Sequence, residues 1–343
     1  MKKLKIAAAL LALAVILASC TFSQEKPVPS PFSPDESKRL VIYTSHKEEV
    51  YKPIIKEFEE RTGIWVELVT GGSSELLQQI ADESEKPKAD IMFGGGVESL
   101  EAYRDYFSSY VCADSRHIDE AFLSADSRWT PFSSLPVVLI YNTKLVSPEQ
   151  LTCWSDLLNP DFRGKIAFCD PAISGSSFTG LMTMLSALGG EREEVIAAFA
   201  DNLDDRQAES SGAVLRSVAD GTDFVGITLE ETAIKYIVSG ADIAMVYPGD
   251  GTSCIPDASA LVKGAPHTEN ARLFLDFTAS EEVQRLLTDS LYRRSVRRDI
   301  EPLEELIPAD AIPQVSYDVA FASQNRDSVL MTWAFYLQNS TIF

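Results

Sequence analysis

The sequence is poor in the residue types that bind transition metals. Its 343 residues include three histidines and five cysteines. His46, His117 and His267 lie far apart along the chain, and no two cysteines are separated by only two residues. Structural zinc sites need cysteine and histidine ligands at close spacing. We therefore expect no metal site and no other bound cofactor.

Basic residues are also few relative to acidic ones. The chain has 30 lysines and arginines against 51 aspartates and glutamates, which gives a formal net charge of -21. A nucleic-acid-binding protein would show a basic surface, so that class is excluded. The acidity favours solubility and does not by itself predict a cationic ligand, because local groups determine what a site binds.

The usual catalytic motifs are missing. There is no Gly-x-Ser-x-Gly, no His-Glu-x-x-His and no Gly-x-x-x-x-Gly-Lys sequence. Nucleophilic catalysis needs an activated nucleophile beside a base, and no histidine lies near Ser177 in the sequence. We expect a protein that is not an enzyme; a secreted phosphatase or esterase is the alternative.

The only long apolar run lies at the beginning of the chain. Three lysines within the first five residues precede an apolar stretch over residues 6–18, which ends at Leu17-Ala18-Ser19-Cys20. This arrangement is typical of a secretory signal and is short for a membrane span. It resembles the bacterial lipobox, so we predict a lipoprotein signal peptide over residues 1–19 and lipidation of Cys20. An ordinary signal with a chance cysteine is the alternative.

A Pro/Ser-rich tether is predicted over residues 20–38, because such a composition cannot bury a core. The other cysteines are Cys112, Cys153, Cys169 and Cys254. An exported protein meets oxidising conditions. Four cysteines allow three pairings, and the sequence does not choose among them.

Strands and helices alternate along the rest of the chain. Apolar runs predict strands at residues 40–44, 64–70, 89–93, 135–141, 164–168, 225–228 and 242–247, with amphipathic helices between most of them. Such alternation predicts an α/β fold with mostly parallel sheets. We expect two lobes: residues 39–134 with 253–300, and residues 135–252. The C-terminal helices, residues 301–343, would pack near the hinge between them.

Hydroxyl side chains occur where three predicted helices begin. Ser45 and His46 follow the first strand, Ser73 and Ser74 follow the second, and Ser174-Gly175-Ser176-Ser177 precedes a helix of the second lobe. Helix N-termini offer unpaired N–H groups and partial positive charge, and ligands bind at this edge of α/β sheets. Together the three turns predict an anion site. The alternative is simple capping, which serine commonly provides.

Two further segments extend the candidate site. Val225-Gly226-Ile227-Thr228-Leu229-Glu230-Glu231 places a hydroxyl and two carboxylates at a helix start. We expect Thr228 and Glu230 to face the cleft, where Glu230 would accept hydrogen bonds from ligand hydroxyls or an ammonium, and Glu231 to face solvent. A favourable acidic first turn is the alternative. Ser211 is a further possible contact, again with capping as the alternative.

Two other features are not expected to form a metal site or a second anion site. His46 is expected at the cleft rim or in a capping position rather than on a metal. The arginine cluster Arg293-Arg294 and Arg297-Arg298 is expected to be a solvated face that pairs with nearby acids, with anion binding as the alternative.

Several of these segments resemble one family in order and spacing. They are Val41-Ile42-Tyr43-Thr44-Ser45, Thr62-Gly63-Ile64, Ala89-Asp90-Ile91, Trp154-Ser155-Asp156-Leu157, Gly164-Lys165-Ile166-Ala167, Asp170-Pro171-Ala172-Ile173-Ser174-Gly175-Ser176 and the run from Val225 to Glu230. The family is the ferric-iron type of periplasmic solute-binding protein. The resemblance implies a bilobed type II fold that closes on a ligand at the hinge. It also implies a monomer, with the permease subunits of an ABC importer as partner.

The family divides according to ligand. Its iron-binding members use an adjacent pair of tyrosines, and this chain has Thr228-Leu229-Glu230-Glu231 in that place. The run is more similar to relatives that bind phosphorylated sugars or phosphonates. The resemblance then implies Ser45, Ser73, Ser74, Ser174, Ser176, Ser177 and Glu230 as ligand contacts. The expected function is a substrate-binding lipoprotein of an ABC importer for a small phosphorylated organic anion. The alternative ligand is ferric iron, with Tyr43, Tyr141, Tyr236 and Tyr247 as candidate contacts.

Overall fold

A computed structural model describes residues 34–304 and 306–339. The predicted signal peptide, Cys20, most of the predicted tether and residues 340–343 lie outside this range. Within the described part of the chain, no helix has both the length and the apolar character that crossing a bilayer requires.

The described residues form ten strands in two sheets. The first six-stranded sheet contains β1 (Arg39–Thr44), β2 (Trp65–Thr70), β3 (Ile91–Gly96), β4 (Phe107–Ser108), β5 (Thr130–Ser134) and β10 (Pro256–Val262). The second contains β6 (Val137–Asn142), β7 (Ile166–Ala167), β8 (Val225–Leu229) and β9 (Ile243–Val246). The second sheet is therefore built from one central stretch of the chain, and the first sheet from the segments before and after that stretch.

Eleven α-helices accompany these strands within the described residues. They are α1 (Glu48–Thr62), α2 (Ser73–Asp82), α3 (Val97–Ala102), α4 (Gly175–Leu188), α5 (Arg192–Leu203), α6 (Ser211–Asp220), α7 (Glu230–Val238), α8 (Thr268–Thr278), α9 (Glu281–Leu291), α10 (Val319–Gln324) and α11 (Arg326–Asn339).

Each sheet contains one strand that runs antiparallel to its neighbours. In the first, β1 pairs in parallel with β2 and β3, and β10 runs antiparallel to β3, β4 and β5. In the second, β6 is antiparallel to both β8 and β9, and only the short β7–β8 pair is parallel. The expectation of two α/β lobes with mostly parallel sheets is confirmed: β7, β8 and β9 share one direction in the second sheet, and only β6 runs against them, as β10 does in the first. The sequence does not predict which strand is reversed. Strands covered on both faces are uniformly apolar whatever their direction, so the pattern does not encode it.

Each sheet has an aromatic-rich core. Phe58, Phe93, Phe132 and Phe274 contact one another around the first sheet, with ring centroids 5.0 to 5.2 Å apart in their edge-to-face pairs. Phe168, Phe199 and Trp333 form a similar group beside the second sheet. Such edge-to-face packing adds to the stabilisation from burial itself. Each lobe thus has its own hydrophobic core.

Hydroxyl groups connect the lobes where the chain crosses between them. The Thr252 hydroxyl donates to the carbonyl of Val137, and the hydroxyls of Thr183 and Ser253 lie 2.6 Å apart. The C-terminal helices contact both sides: α10 packs on α3, and α11 packs on α5. Arg326 donates to Ser74 at 2.9 Å. All four described cysteines are free thiols.

We predict that glycine is required where α1 ends. Gly63 has φ of 64°, and the added Cβ of an alanine would meet nothing within 4 Å. Gly63→Ala should therefore lower the free energy of unfolding by about 1 to 2 kcal/mol through backbone strain alone. Urea denaturation measures this change.

The matched control is Gly212→Ala, inside α6, where φ is not positive. It should be neutral or stabilising by up to about 1 kcal/mol, since alanine is the better helix former. Equal effects of the two substitutions would contradict the assignment of strain to Gly63.

Candidate functional site

A cavity of about 460 Å³ lies between the two sheets. One wall comes from the turns after β1, β2 and β3 together with the start of β10, and the other comes from the starts of α4, α6 and α7. Its volume is within the ordinary range for small-molecule sites. Both lobes therefore contribute to one cavity.

Five helices begin at this cavity. Lys47, Ser73, Gly175, Ser211 and Leu229 line it, and each lies at the N-cap or first position of α1, α2, α4, α6 or α7. The first N–H groups of a helix have no partner within it, and they carry a partial positive charge. Donors that favour an anion therefore come from both lobes, although the Glu230 N–H at the start of α7 already donates to the Pro136 carbonyl at 2.9 Å.

Most of the predicted site residues come together here. Eight of them line the cavity: Ser45, His46, Ser73, Ser174, Gly175, Ser176, Ser211 and Thr228. They come from turns more than one hundred residues apart in sequence, as Ser45 and Ser174 show. The structure therefore places the three predicted hydroxyl-bearing turns around one space.

The capping alternative applies to some of these residues only. The Ser174 hydroxyl accepts from the Ser177 N–H at 3.3 Å and caps α4. At the start of α6 the cap is Ser210, so Ser211 is not the capping residue. α1 and α2 begin at Lys47 and Gly72 without a side-chain cap. Ser45 and Ser73 consequently line the cavity and do not cap a helix.

Three predicted residues do not line the cavity. The Ser74 hydroxyl accepts from Arg326, and Ser177 is buried behind Ser174 with their hydroxyls 3.1 Å apart. Glu230 is almost fully buried and accepts two hydrogen bonds from Arg294, at 2.8 and 2.9 Å, and another from Tyr247. The expectation that Glu230 faces the cleft is wrong, because this pairing holds its carboxylate away from it.

Glu231 lines the cavity instead, and the expectation that it faces solvent is also wrong. Neighbouring residues in a helix point about 100° apart, so the two carboxylates have different surroundings. Burial would raise the pKa of Glu231, but the nearby Arg293, Lys235 and Lys47 outweigh burial and hold it at about 2. Glu231 is therefore a carboxylate across the physiological pH range.

The arginine cluster is not the solvated face that the sequence predicts. Arg293, Arg294 and Arg297 are buried, and only Arg298 has a half-exposed side chain. Arg293 lines the cavity and donates from Nη1 to Asp257 and to the Ser133 hydroxyl, both at 2.8 Å. The expectation that these arginines pair with acids is thus correct, but the pairs lie in the interior, where each charge needs its partner.

His46 occupies an apolar niche beside these charges. Its ring lies 4.5 Å from that of Phe93 and 5.1 Å from that of Phe132, measured between centroids. Burial lowers its pKa to about 4, so the ring is neutral near pH 7. Nε2 has no hydrogen-bond partner and lies 3.8 Å from Asp257 Oδ2. A Cβ at Gly94 would come within 2.8 Å of that nitrogen, so glycine is required there.

Asp257 is a functional candidate that sequence reasoning missed, and Glu231 and Arg293 are two that it placed in solvent. Asp257 is in a strand and Arg293 follows a helix, and neither belongs to a recognisable motif. Only folding brings them together. The four candidate tyrosines Tyr43, Tyr141, Tyr236 and Tyr247 do not line the cavity. Among the residues that the structure describes, no group of three or more His, Cys, Asp or Glu side chains is arranged to hold a metal ion.

Comparison with known proteins identifies the family. Residues 40–293 match the model of the bacterial extracellular solute-binding proteins. The chain belongs to this family. This confirms the resemblance found in the sequence, and it assigns the chain a role in solute binding outside the cytoplasm.

Individual relatives differ in what their names say they bind. Iron uptake protein A1 of Synechocystis sp. is 25% identical over 297 residues, covering 82% of this chain and 81% of that protein. A candidate 2-aminoethylphosphonate-binding periplasmic protein of Salmonella typhimurium is 24% identical over 266 residues, covering 74% and 76%. The structure of the periplasmic binding protein AfuA from Actinobacillus pleuropneumoniae with fructose-6-phosphate has a TM-score of 0.81 and 23% identity, covering 88% of this chain and 98% of AfuA.

We predict that His46 makes the stability of this solute-binding protein depend on pH. Its folded pKa of about 4 lies below the ordinary 6.5, so the unfolded chain takes up the proton first. Stability should fall as pH drops from 6.5 to 4, by at most about 3 kcal/mol from this residue. His46→Gln should remove that share of the slope, which urea denaturation at several pH values measures.

The control is His117→Gln, since His117 is partly exposed and lies outside the cavity. If His46→Gln and the unmodified chain lose stability in parallel between pH 6.5 and 4, the buried neutral state of His46 is refuted.

Proposed function

We propose that this chain is the substrate-binding lipoprotein of an ABC importer, and that it captures a small phosphorylated organic anion in the cavity. Sugar phosphates and phosphonates are the two candidate classes. The arrangement that carries the proposal is the convergence of five helix N-termini and nearby hydroxyls on one cavity. Such N-termini bind phosphate through backbone N–H groups.

The hydroxyls from both lobes supply the polar contacts. Ser45 and Ser73 come from one lobe, and Ser174, Ser176 and Ser211 come from the other. A phosphate offers several acceptor oxygens, and each hydroxyl or N–H that donates to it makes a charge-assisted hydrogen bond. A ligand that contacts both lobes shifts the open–closed equilibrium towards closure. The closed form would then deliver the solute to the permease subunits without a chemical step of its own.

Contacts across the cavity mouth are consistent with a closed form. Lys235 Nζ lies 3.0 Å from Glu49 Oε1, and Lys47 Nζ lies 3.5 Å from the Thr232 hydroxyl. Each pair joins one lobe to the other. A lipid anchor at Cys20 would keep the receptor near its permease.

Ferric iron is the second candidate ligand, favoured by the name of the Synechocystis relative. Ferric iron is a hard ion that suits phenolate and carboxylate oxygens. The cavity supplies the carboxylates of Glu75, Glu209, Glu231 and Asp257, the last three already paired with cations, and no tyrosine of the described chain lines it. Visible absorbance that appears on addition of ferric salts would favour iron over the anion.

We predict that two serines on different helices carry much of the affinity for phosphate esters. Ser176→Ala and Ser211→Ala should each weaken binding of fructose 6-phosphate by roughly tenfold to a hundredfold, the effect of removing a hydrogen bond to a charged group. Isothermal titration calorimetry measures the dissociation constants.

Ser186→Ala is the matched control, because Ser186 lies on α4 with its hydroxyl bonded to the Met182 carbonyl and away from this cavity. It should bind normally. Unchanged affinity in both cavity variants, or the absence of binding to any phosphate, phosphonate or phosphate ester, would refute the proposed function.

A further inference from the structure

A charged cluster forms part of the cavity lining beside the hydroxyls. Glu231, Asp257 and Arg293 line the cavity with side chains that are 5 to 6% exposed. Under the proposed function the helix N-termini and serines hold the phosphate. The cluster then remains to contact the organic part of the ligand, and its charge decides which chemistry fits there.

Every carboxylate in this cluster has a cation beside it. Arg293 Nη1 lies 2.8 Å from Asp257 Oδ2, and Arg293 Nη2 lies 3.8 Å from Glu231 Oε1. Lys235 Nζ lies 2.8 Å from Glu231 Oε2 and 3.0 Å from Glu49 Oε1. Lys47 also faces Glu231. Three acidic groups therefore meet three basic groups, and no negative charge is left without its counterpart.

Hydrogen-bond acceptors nevertheless remain available. A carboxylate offers about four lone-pair positions. Glu231 accepts from the Thr232 hydroxyl at 2.8 Å in addition to its ion pairs, and Asp257 accepts from Arg293 and from the Ser133 N–H and hydroxyl. His46, neutral and with Nε2 unpartnered, adds another polar atom. The cluster can thus receive neutral donors without changing its charge.

We propose that the organic part of the ligand is an uncharged polyol, and that Glu231, Asp257 and His46 recognise its hydroxyls. This inference rests on the proposed function and selects between its two classes of ligand. An aminoalkyl group would enter a space that already contains Arg293, with Lys235 and Lys47 close by. Its ammonium would lose hydration and meet those cations, and the cluster's own carboxylates, Glu231 and Asp257, are already paired.

A pair of nearly isosteric ligands tests this inference on the full chain. 2-Hydroxyethylphosphonate and 2-aminoethylphosphonate share the phosphonate and differ only in the terminal hydroxyl or ammonium. Calorimetry should show the hydroxyl compound binding at least tenfold more tightly. Fructose 6-phosphate should bind more tightly than inorganic phosphate, because its hydroxyls use the cluster.

A charge variant shows whether the cluster causes the preference. Lys235→Met removes one cation next to Glu231 and should reduce the hydroxyl-to-amine ratio at least threefold. Lys144→Met is the control, since Lys144 pairs with Asp242 on the surface of the same lobe. It should leave the ratio unchanged. If Lys235→Met does not fold, the hydroxyl-to-amine ratio of the unmodified chain tests the polyol assignment by itself.

The outcomes distinguish a failure of the polyol assignment from a failure of the proposed function. A ratio below threefold in the unmodified chain overturns the polyol assignment while phosphonate binding still supports the proposed function. An unchanged ratio in folded Lys235→Met overturns the role of the charged cluster. If phosphonates, inorganic phosphate and fructose 6-phosphate all fail to bind, the proposed function is refuted and this inference with it.

Discussion

Unpaired N–H groups at the start of a helix need an acceptor, and in this protein five helices begin at the same cavity. That single constraint relates the fold to the site. The strands of two sheets direct α1, α2, α4, α6 and α7 toward a common space, and small hydroxyl side chains lie in or shortly before the first turn of each helix. An anion bound there would satisfy donors from both lobes together, so that binding and closure would be one event. Arginine is not needed to hold the phosphate, which leaves Arg293 for another task.

The buried charges have the complementary role of limiting what enters with the anion. Arg293, Asp257 and Glu231 are held in the interior only because each has a partner, since an isolated buried charge is costly. Their mutual neutralisation lets the carboxylates act as hydrogen-bond acceptors and not as attractors of cations. In the Glu230-Glu231 pair, Arg294 and Tyr247 already bind the carboxylate of Glu230. Only the carboxylate of Glu231 lines the cavity. Two adjacent carboxylates thus have a structural and a cavity-lining role, respectively.

Local patterns in the sequence predict part of this arrangement well. Apolar runs locate β1, β2, β3 and the four strands of the second sheet, but not β4, β5 or β10. Gly63 marks the end of α1 because only a left-handed residue continues the chain there. The serine-bearing turns at Ser73 and Ser174 are recognisable since helix starts have a local signature. Other features depend on contacts between distant segments. The reversed direction of β6 and β10, the choice between Glu230 and Glu231, and the pairing of Asp257 with Arg293 each follow from tertiary packing, which no short motif records.

The most direct test of the central claim is a crystal structure of the chain grown with a hexose phosphate. The account predicts a phosphate group in the cavity, within hydrogen-bond distance of Ser73, Ser176 and Ser211 and of the first N–H groups of their helices. A phosphate group found outside the cavity, or a cavity occupied by a ferric ion coordinated by side chains without any anion on these helix starts, would contradict it.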